Sequence, residues 1–113
     1  MSLIFAIKRG TTARALRLQL PGGVSLAGAI ARFQMRLPGG PTVLDAPAQL
    51  IEEGDPEEGI APVLGYQWQP GDTDVTGRYD AEFDVTYPTG RIESFPDPGF
   101  IRVMVGDSVE DMP

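Results

Sequence analysis

At 113 residues the chain has room for one domain, and its net charge of −7 argues against nucleic acid or an anionic membrane surface as the main partner, because both are polyanions. Its 14 Gly and 11 Pro beside 42% hydrophobic residues suit many short strands joined by tight turns over a real core. Cys and His are both absent, which excludes a disulfide scaffold, the commonest nucleophile pairs and the usual zinc sites.

The charge is placed unevenly. Residues 1–45 carry six cations against Asp45 alone, and the remainder carries three cations against fifteen acids. Either early and late strands interleave in one sheet and pair their exposed charges, or the protomer is dipolar and stacks head to tail. The opening MSLIFAIKRG has an apolar run with no basic stretch before it and no small-residue cleavage site after it, so it does not read as a signal peptide. No run is long enough to span a bilayer.

Taken in chain order, Ser2 to Lys8 reads as a first strand, and Arg14 to Leu20 as a second with Leu16, Leu18 and Leu20 on one face. Val24 to Gly28 is a short apolar connection. Ala29 to Leu37 alternates again, with Ala31, Phe33, Met35 and Leu37 expected inward. Leu-Pro-Gly-Gly occurs at 20–23 and at 37–40, read in both places as a hairpin turn. Thr42 to Glu53 supplies one or two short strands, with Pro47 confining that region to an edge or a break. After the polar loop Glu52 to Gly59 comes a strand from Ile60 to Trp68, in which Leu64, Tyr66 and Trp68 share a face.

The stretch from Trp68 to Phe95 carries the clearest pattern. Tyr79, Ala81, Phe83, Val85 and Tyr87 alternate with Asp80, Glu82, Asp84 and Thr86, a period of two that marks a half-buried strand. Tyr87-Pro88-Thr89-Gly90 then reverses the chain, with Pro88 pre-set for the turn and Gly90 free to take positive φ. Arg91 to Phe95 returns, and Phe100 to Val105 is the last strand.

About seven or eight strands at this spacing predict an all-β antiparallel sandwich, and an immunoglobulin-like β-sandwich is the more specific reading. Tyr79, placed just after Gly77-Arg78 at the start of a late strand, fits a tyrosine corner whose hydroxyl bonds back to upstream backbone. The position two residues on, where an antibody domain has Cys, is Ala81. Residues 1–106 are expected to form the single domain and 107–113 a flexible acidic tail.

No catalytic residue, cofactor or metal ligand is expected. Asp80, Glu82 and Asp84 read as a solvated face with nothing apolar to raise a pKa, unlike the carboxylate pair of a glycosidase. Asp72-Thr73-Asp74 and the loop Glu52 to Glu58 offer hard oxygens without the spacing of a calcium loop. The Pro-Gly-Gly turns lack the following Lys-Ser/Thr of a phosphate cradle. Trp68, Tyr66, Tyr79 and Tyr87 are core at strand spacing or, in the alternative, an aromatic ligand platform. Trp68, Gly77, Tyr79, Phe83, Pro88 and Gly90 are the structural positions singled out. Leu3, Ile4, Phe5 and Ile7 make the first strand apolar on both faces, a site for strand addition by a partner if it lies at a sheet edge, or simple core if it does not.

A set of motifs in fixed order resembles the N-terminal domain family of phage baseplate upper proteins. It runs from Phe5-Ala6-Ile7-Lys8-Arg9-Gly10-Thr11-Thr12 and Arg32-Phe33-Gln34-Met35-Arg36 to Tyr66-Gln67-Trp68-Gln69-Pro70-Gly71-Asp72-Thr73. Gly77-Arg78-Tyr79-Asp80-Ala81-Glu82-Phe83, Thr86-Tyr87-Pro88-Thr89-Gly90-Arg91 and Glu93-Ser94-Phe95-Pro96 complete it. The likeness covers residues 5–105. It implies an immunoglobulin-like sandwich serving as a structural part of a phage or prophage tail or baseplate, made in the bacterial host cytoplasm and carried in the virion. Its partners would be other tail or baseplate proteins in a symmetric assembly, homo-oligomers included, and no catalytic residue is carried over. Members often continue into a linker helix and a receptor-binding or fibre-holding region; a chain of this length is expected to act as a stand-alone tail or head-to-tail accessory protein. The alternative reading, from another class, is a carbohydrate- or host-surface-binding module using the late-strand aromatics.

Overall fold

A computed structural model describes residues 3–97 and 99–107. Among these, nine strands form: β1 (Leu3–Lys8), β2 (Leu16–Gln19), β3 (Ile30–Arg36), β4 (Thr42–Pro47), β5 (Gln49–Glu52), β6 (Val63–Tyr66), β7 (Gly77–Thr86), β8 (Ile92–Phe95) and β9 (Ile101–Gly106). They make two sheets, one ordered β1-β9-β7-β3-β4 with β8 also on β7, the other β2-β6-β5. The orders β9-β7-β3-β4 and β2-β6-β5 follow those of the two sheets of an immunoglobulin-like sandwich.

The count exceeds the expected seven or eight for two local reasons. The run 42–53 changes sheet at Ala48, so that β4 pairs with β3 and β5 with β6. The strand returning after Gly90 also breaks: it advances from Phe95 to Ile101 while its partner steps only from Phe83 to Ala81. One ladder departs from an antiparallel plan. β1 lies parallel to β9, with Leu3 beside Ile101 and Lys8 beside Gly106. Gly106 therefore belongs to the last strand, and Asp107 pairs with Arg9 at 2.7 Å; the rest of the expected tail, 108–113, lies outside the described residues, as does Ser2.

Period two in the sequence becomes an inner face in space. Ala31, Phe33 and Met35 of β3 and Tyr79, Ala81, Phe83 and Val85 of β7 are buried against Leu16 and Leu18 of β2 and Leu64 and Tyr66 of β6. Phe33 is the centre of an aromatic cluster. Its ring stacks on Tyr66 at 4.6 Å, meets Trp68 edge-on at 5.7 Å and lies 5.1 Å from Phe83. Trp68 is past the end of β6, not in it as the alternation implied, yet only 2% exposed. Its Nε1 is buried and has no hydrogen-bond partner among the described residues, a cost of about 1–3 kcal/mol that packing of the ring must offset.

Two other expectations are corrected. Leu37 is 42% exposed, because the ladder shifts between Met35 and Arg36 and the chain turns at Leu37, lifting that side chain out of the core. The second Leu-Pro-Gly-Gly closes the β3–β4 hairpin, with Gly39 at φ +66° and the Gly40 N–H donating to Leu37. The first instead begins the crossing from β2 to the opposite sheet, and along it Leu26 is wholly buried.

The turn at 87–90 forms as read. Gly90 takes φ +87°, its N–H donates to the Tyr87 carbonyl at 2.8 Å, and the Tyr87 N–H donates to Arg91 at 2.9 Å. The tyrosine corner is present as well: the Tyr79 hydroxyl donates to the Val75 carbonyl at 2.7 Å. Tyr79→Phe is expected to lower stability by about 1 kcal/mol, the net worth of one such bond, whereas Phe33→Ala is expected to cost about 3–5 kcal/mol. Urea denaturation followed by circular dichroism compares the two; equal costs would deny Phe33 its central place.

Candidate docking interface

Among the described residues, a sandwich of this order leaves five strands with one unpaired edge, β8 with its single partner β7 being one of them. β1 and β4 end the larger sheet, and β2 and β5 end the smaller. The backbone groups of successive strand residues point to opposite edges. The Arg9 N–H donates to Gly106 at 2.8 Å, so the odd-numbered residues of this run face β9, and Ile4 and Ala6 turn their N–H and C=O groups outward. The outward assignment agrees with Ala6, whose carbonyl accepts from the Arg14 guanidinium at 3.2 Å.

Beside that edge runs a groove between β1 and β2, with adjoining stretches of about 500 and 370 Å³ that share Leu3, Leu18 and Gln19. Phe95 and Pro96 line its far end. Arg14 reaches across toward β1, its guanidinium 4.9 Å from the centre of the Phe5 ring. A cation placed so both stacks on the ring and occupies one acceptor of the edge, a common way of guarding an exposed strand.

The four residues singled out on β1 therefore divide. Ile7 is 3% exposed and part of the core. Phe5 is half-buried, its ring 5.9 Å from Trp68, and Leu3 is half-buried along the groove. Ile4 is 61% exposed on the outer face. Alternation made the inward residues legible. Arg14, Leu18 and Phe95, which come to the same place from three separate segments, carried no signal in the sequence that joined them to β1.

The other sequence candidates do not converge. Asp80, Glu82 and Asp84 stand on the outer face of β7, but they are half-buried, not solvated as expected. Arg36, which stands opposite Asp80 in the β3–β7 ladder, stacks its guanidinium 4.6 Å over the Phe100 ring and covers this face. Burial first, then Asp84, raises the pKa of Glu82, and Arg36 partly offsets them. Asp84 accepts a hydrogen bond from Ser94 Oγ at 2.6 Å. The hollow beside Asp80 and Glu82 is about 20 Å³, room for about one water and far too small for a sugar ring.

Of the remaining candidate acids, Asp72 and Asp55 cap turns. Asp72 accepts from the Tyr66 hydroxyl and from the Gln69 N–H at 2.8 Å, and Asp55 accepts from the N–H groups of Glu57 and Glu58 at 3.1 and 3.3 Å. Burial, then the bond to Asp72, pushes the Tyr66 hydroxyl far up. No three acidic side chains come together as a metal site among the described residues.

Of the aromatics considered as a ligand platform, Tyr66, Trp68 and Tyr79 are buried. Tyr87 alone is half-exposed; burial and a 2.7 Å bond donated to Glu93 push its pKa up to about 12. Gly77 opens β7, Phe83 is wholly buried, and Pro88 and Gly90 are exposed in their turn.

With this geometry in view, comparison with known proteins adds little. No family model and no curated protein matches the chain. Among solved structures, CopC from Methylosinus trichosporium OB3b is similar at a TM-score of 0.48 and 18% identity, over 88% of this chain and 80% of that one.

The raised pKa of Glu82 has a measurable sign. A carboxyl whose pKa is higher in the folded than in the unfolded state favours folding below the unfolded pKa, and that contribution is lost as pH rises through the folded pKa. Glu82→Gln is therefore expected to raise the denaturation midpoint at pH 7 and to gain less than the wild type on acidification through the carboxylate range. A lowered midpoint at pH 7 would refute the burial argument.

Proposed function

We propose that this chain is a non-enzymatic structural component of a phage or prophage tail or baseplate, and that it docks other tail proteins through the edge of β1. One observation carries the docking reading: the outward backbone groups of Ile4 and Ala6 run beside an apolar groove. Such an edge supplies main-chain bonds for an added strand, and the adjoining groove accepts its side chains. The phage attribution draws on the order of motifs over residues 5–105. Burial of Tyr66, Trp68 and Tyr79 leaves the carbohydrate-binding alternative without its platform.

Because β1 supplies Ile7 to the core, its removal confounds docking with folding, and a point change is the cleaner test. Ile4→Pro removes an N–H that faces outward and so spares the β1–β9 ladder. Phage particles induced from the strain that encodes the chain should take immunogold label on their tails with the wild-type protein. Label should fall at least tenfold with folded Ile4→Pro. Particles without any label would overturn the virion assignment, and full labelling by Ile4→Pro would overturn the role of the edge.

A further inference from the structure

Arg14 stands on the connection between β1 and β2, and its guanidinium holds two positions at the edge of β1. It donates to the Ala6 carbonyl at 3.2 Å and lies 4.9 Å from the centre of the Phe5 ring. Its charge is not matched by an acid. The ion pairs among the described residues are those of Arg9 with Asp107 and of Arg32 with Asp45, and residues 3–20 hold Lys8, Arg9, Arg14 and Arg17 and no acid.

A strand cannot pair fully with β1 while Arg14 stays in this place. Ala6 turns its backbone groups outward, and its carbonyl is already taken. In an added ladder the residue opposite Phe5 sends its side chain to the same face as the ring, with Cβ atoms about 4.5–5.5 Å apart, into the space that the guanidinium now fills. A neutral side chain there displaces a cation and gives it no new partner. A carboxylate instead receives it in a charge-assisted, two-pronged pair.

We infer that the partner segment docked on β1 carries a carboxylate opposite Phe5, which draws Arg14 off the edge, and an apolar residue two positions away opposite Leu3. The inference rests on the docking reading for the use of β1 and adds the chemistry of the partner: an extended acidic strand.

The groove sets the apolar position. Side chains two apart on a strand share a face, so the residue opposite Leu3 points into the stretch of about 370 Å³ lined by Leu3, Leu16, Leu18 and Ile101. Charge is ordered along the same line. Arg17 lines that stretch, whereas Glu93 and Asp97 line the far end beyond Leu3. A carboxylate is therefore attracted beside Phe5 and repelled at the far end. On a chain of net charge −7, the acid-free flank gives an acidic segment a place to settle.

An NMR titration of the isotope-labelled chain with capped synthetic peptides tests the inference. Two probes carry glutamate and valine two positions apart in a threonine strand, one with glutamate first, for antiparallel pairing, and one with valine first, for parallel pairing. One of them should shift the amide signals of Ile4 and Ala6. Its affinity should fall on the order of tenfold when glutamine replaces the glutamate, and equally with Arg14→Ala. Arg14→Glu should prefer the lysine analogue of the same peptide. Arg14 is exposed and outside the strands, so these variants should keep the fold, which circular dichroism checks.

Equal binding of the glutamine analogue overturns the inference. So does tighter binding by Arg14→Ala, which would make Arg14 a guard and nothing more, or the absence of shifts at Ile4 and Ala6 with both glutamate peptides. Loss of tail labelling by Ile4→Pro in any of those cases would keep docking through β1, to a partner of other chemistry. Full labelling by Ile4→Pro would remove the docking reading itself and this inference with it.

Discussion

The attachment of the two sheets rests on Phe33. This fold commonly joins its sheets by a disulfide, and a chain without cysteine must do so by packing. Phe33 projects from the middle of the larger sheet and lies flat on Tyr66 of the smaller one, with Trp68 and Phe83 against its edge and side. Rings so arranged contribute about 0.5–1.5 kcal/mol per pair beyond the area they bury. Ala81, at the position where a cysteine would bridge, is wholly buried but small, and leaves room for that cluster.

A core of this kind uses the inner faces of both sheets and places the chain's largest aromatics beyond the reach of a ligand. What remains for recognition is the outer faces and the edges. The outer face of β7 is already occupied by the Arg36–Phe100 stack above its acids. Edges are different, because their backbone groups face no neighbouring strand among the described residues, and only local devices such as Arg14 on Phe5 and the Ala6 carbonyl, or Pro47 on β4, restrain them.

Alternation showed which residues face inward, since a period of two is a property of neighbours in the chain. It worked for β7 over its whole length and for β3 as far as Met35. It did not foresee Leu37, because a ladder shift depends on the partner strand, nor Trp68, which remains in the core after its strand has ended. The two Leu-Pro-Gly-Gly turns make the same point: an identical tetrapeptide closes a hairpin in one place and opens a crossing between sheets in the other, and only the strand that follows decides which. The candidate interface was half legible. The apolar character of β1 was plain, but its position at an edge is a fact of strand order, and the groove beside it draws on residues more than ninety positions apart.

The parallel ladder of β1 with β9 has a consequence for the order of events in folding. Leu3 meets Ile101, so this pairing closes a loop of nearly the whole chain, the most costly closure in the molecule, whereas hairpins such as β3–β4 and β7–β8 close short ones. β1 should therefore be the last strand to dock. Until it does, the larger sheet ends at β9, and the outward groups of Ile4 and Ala6 do not yet form an ordered edge. An ordered edge at β1 is thus completed only when the rest of the sandwich is in place, and under the proposed docking an incompletely folded chain would lack the surface it needs.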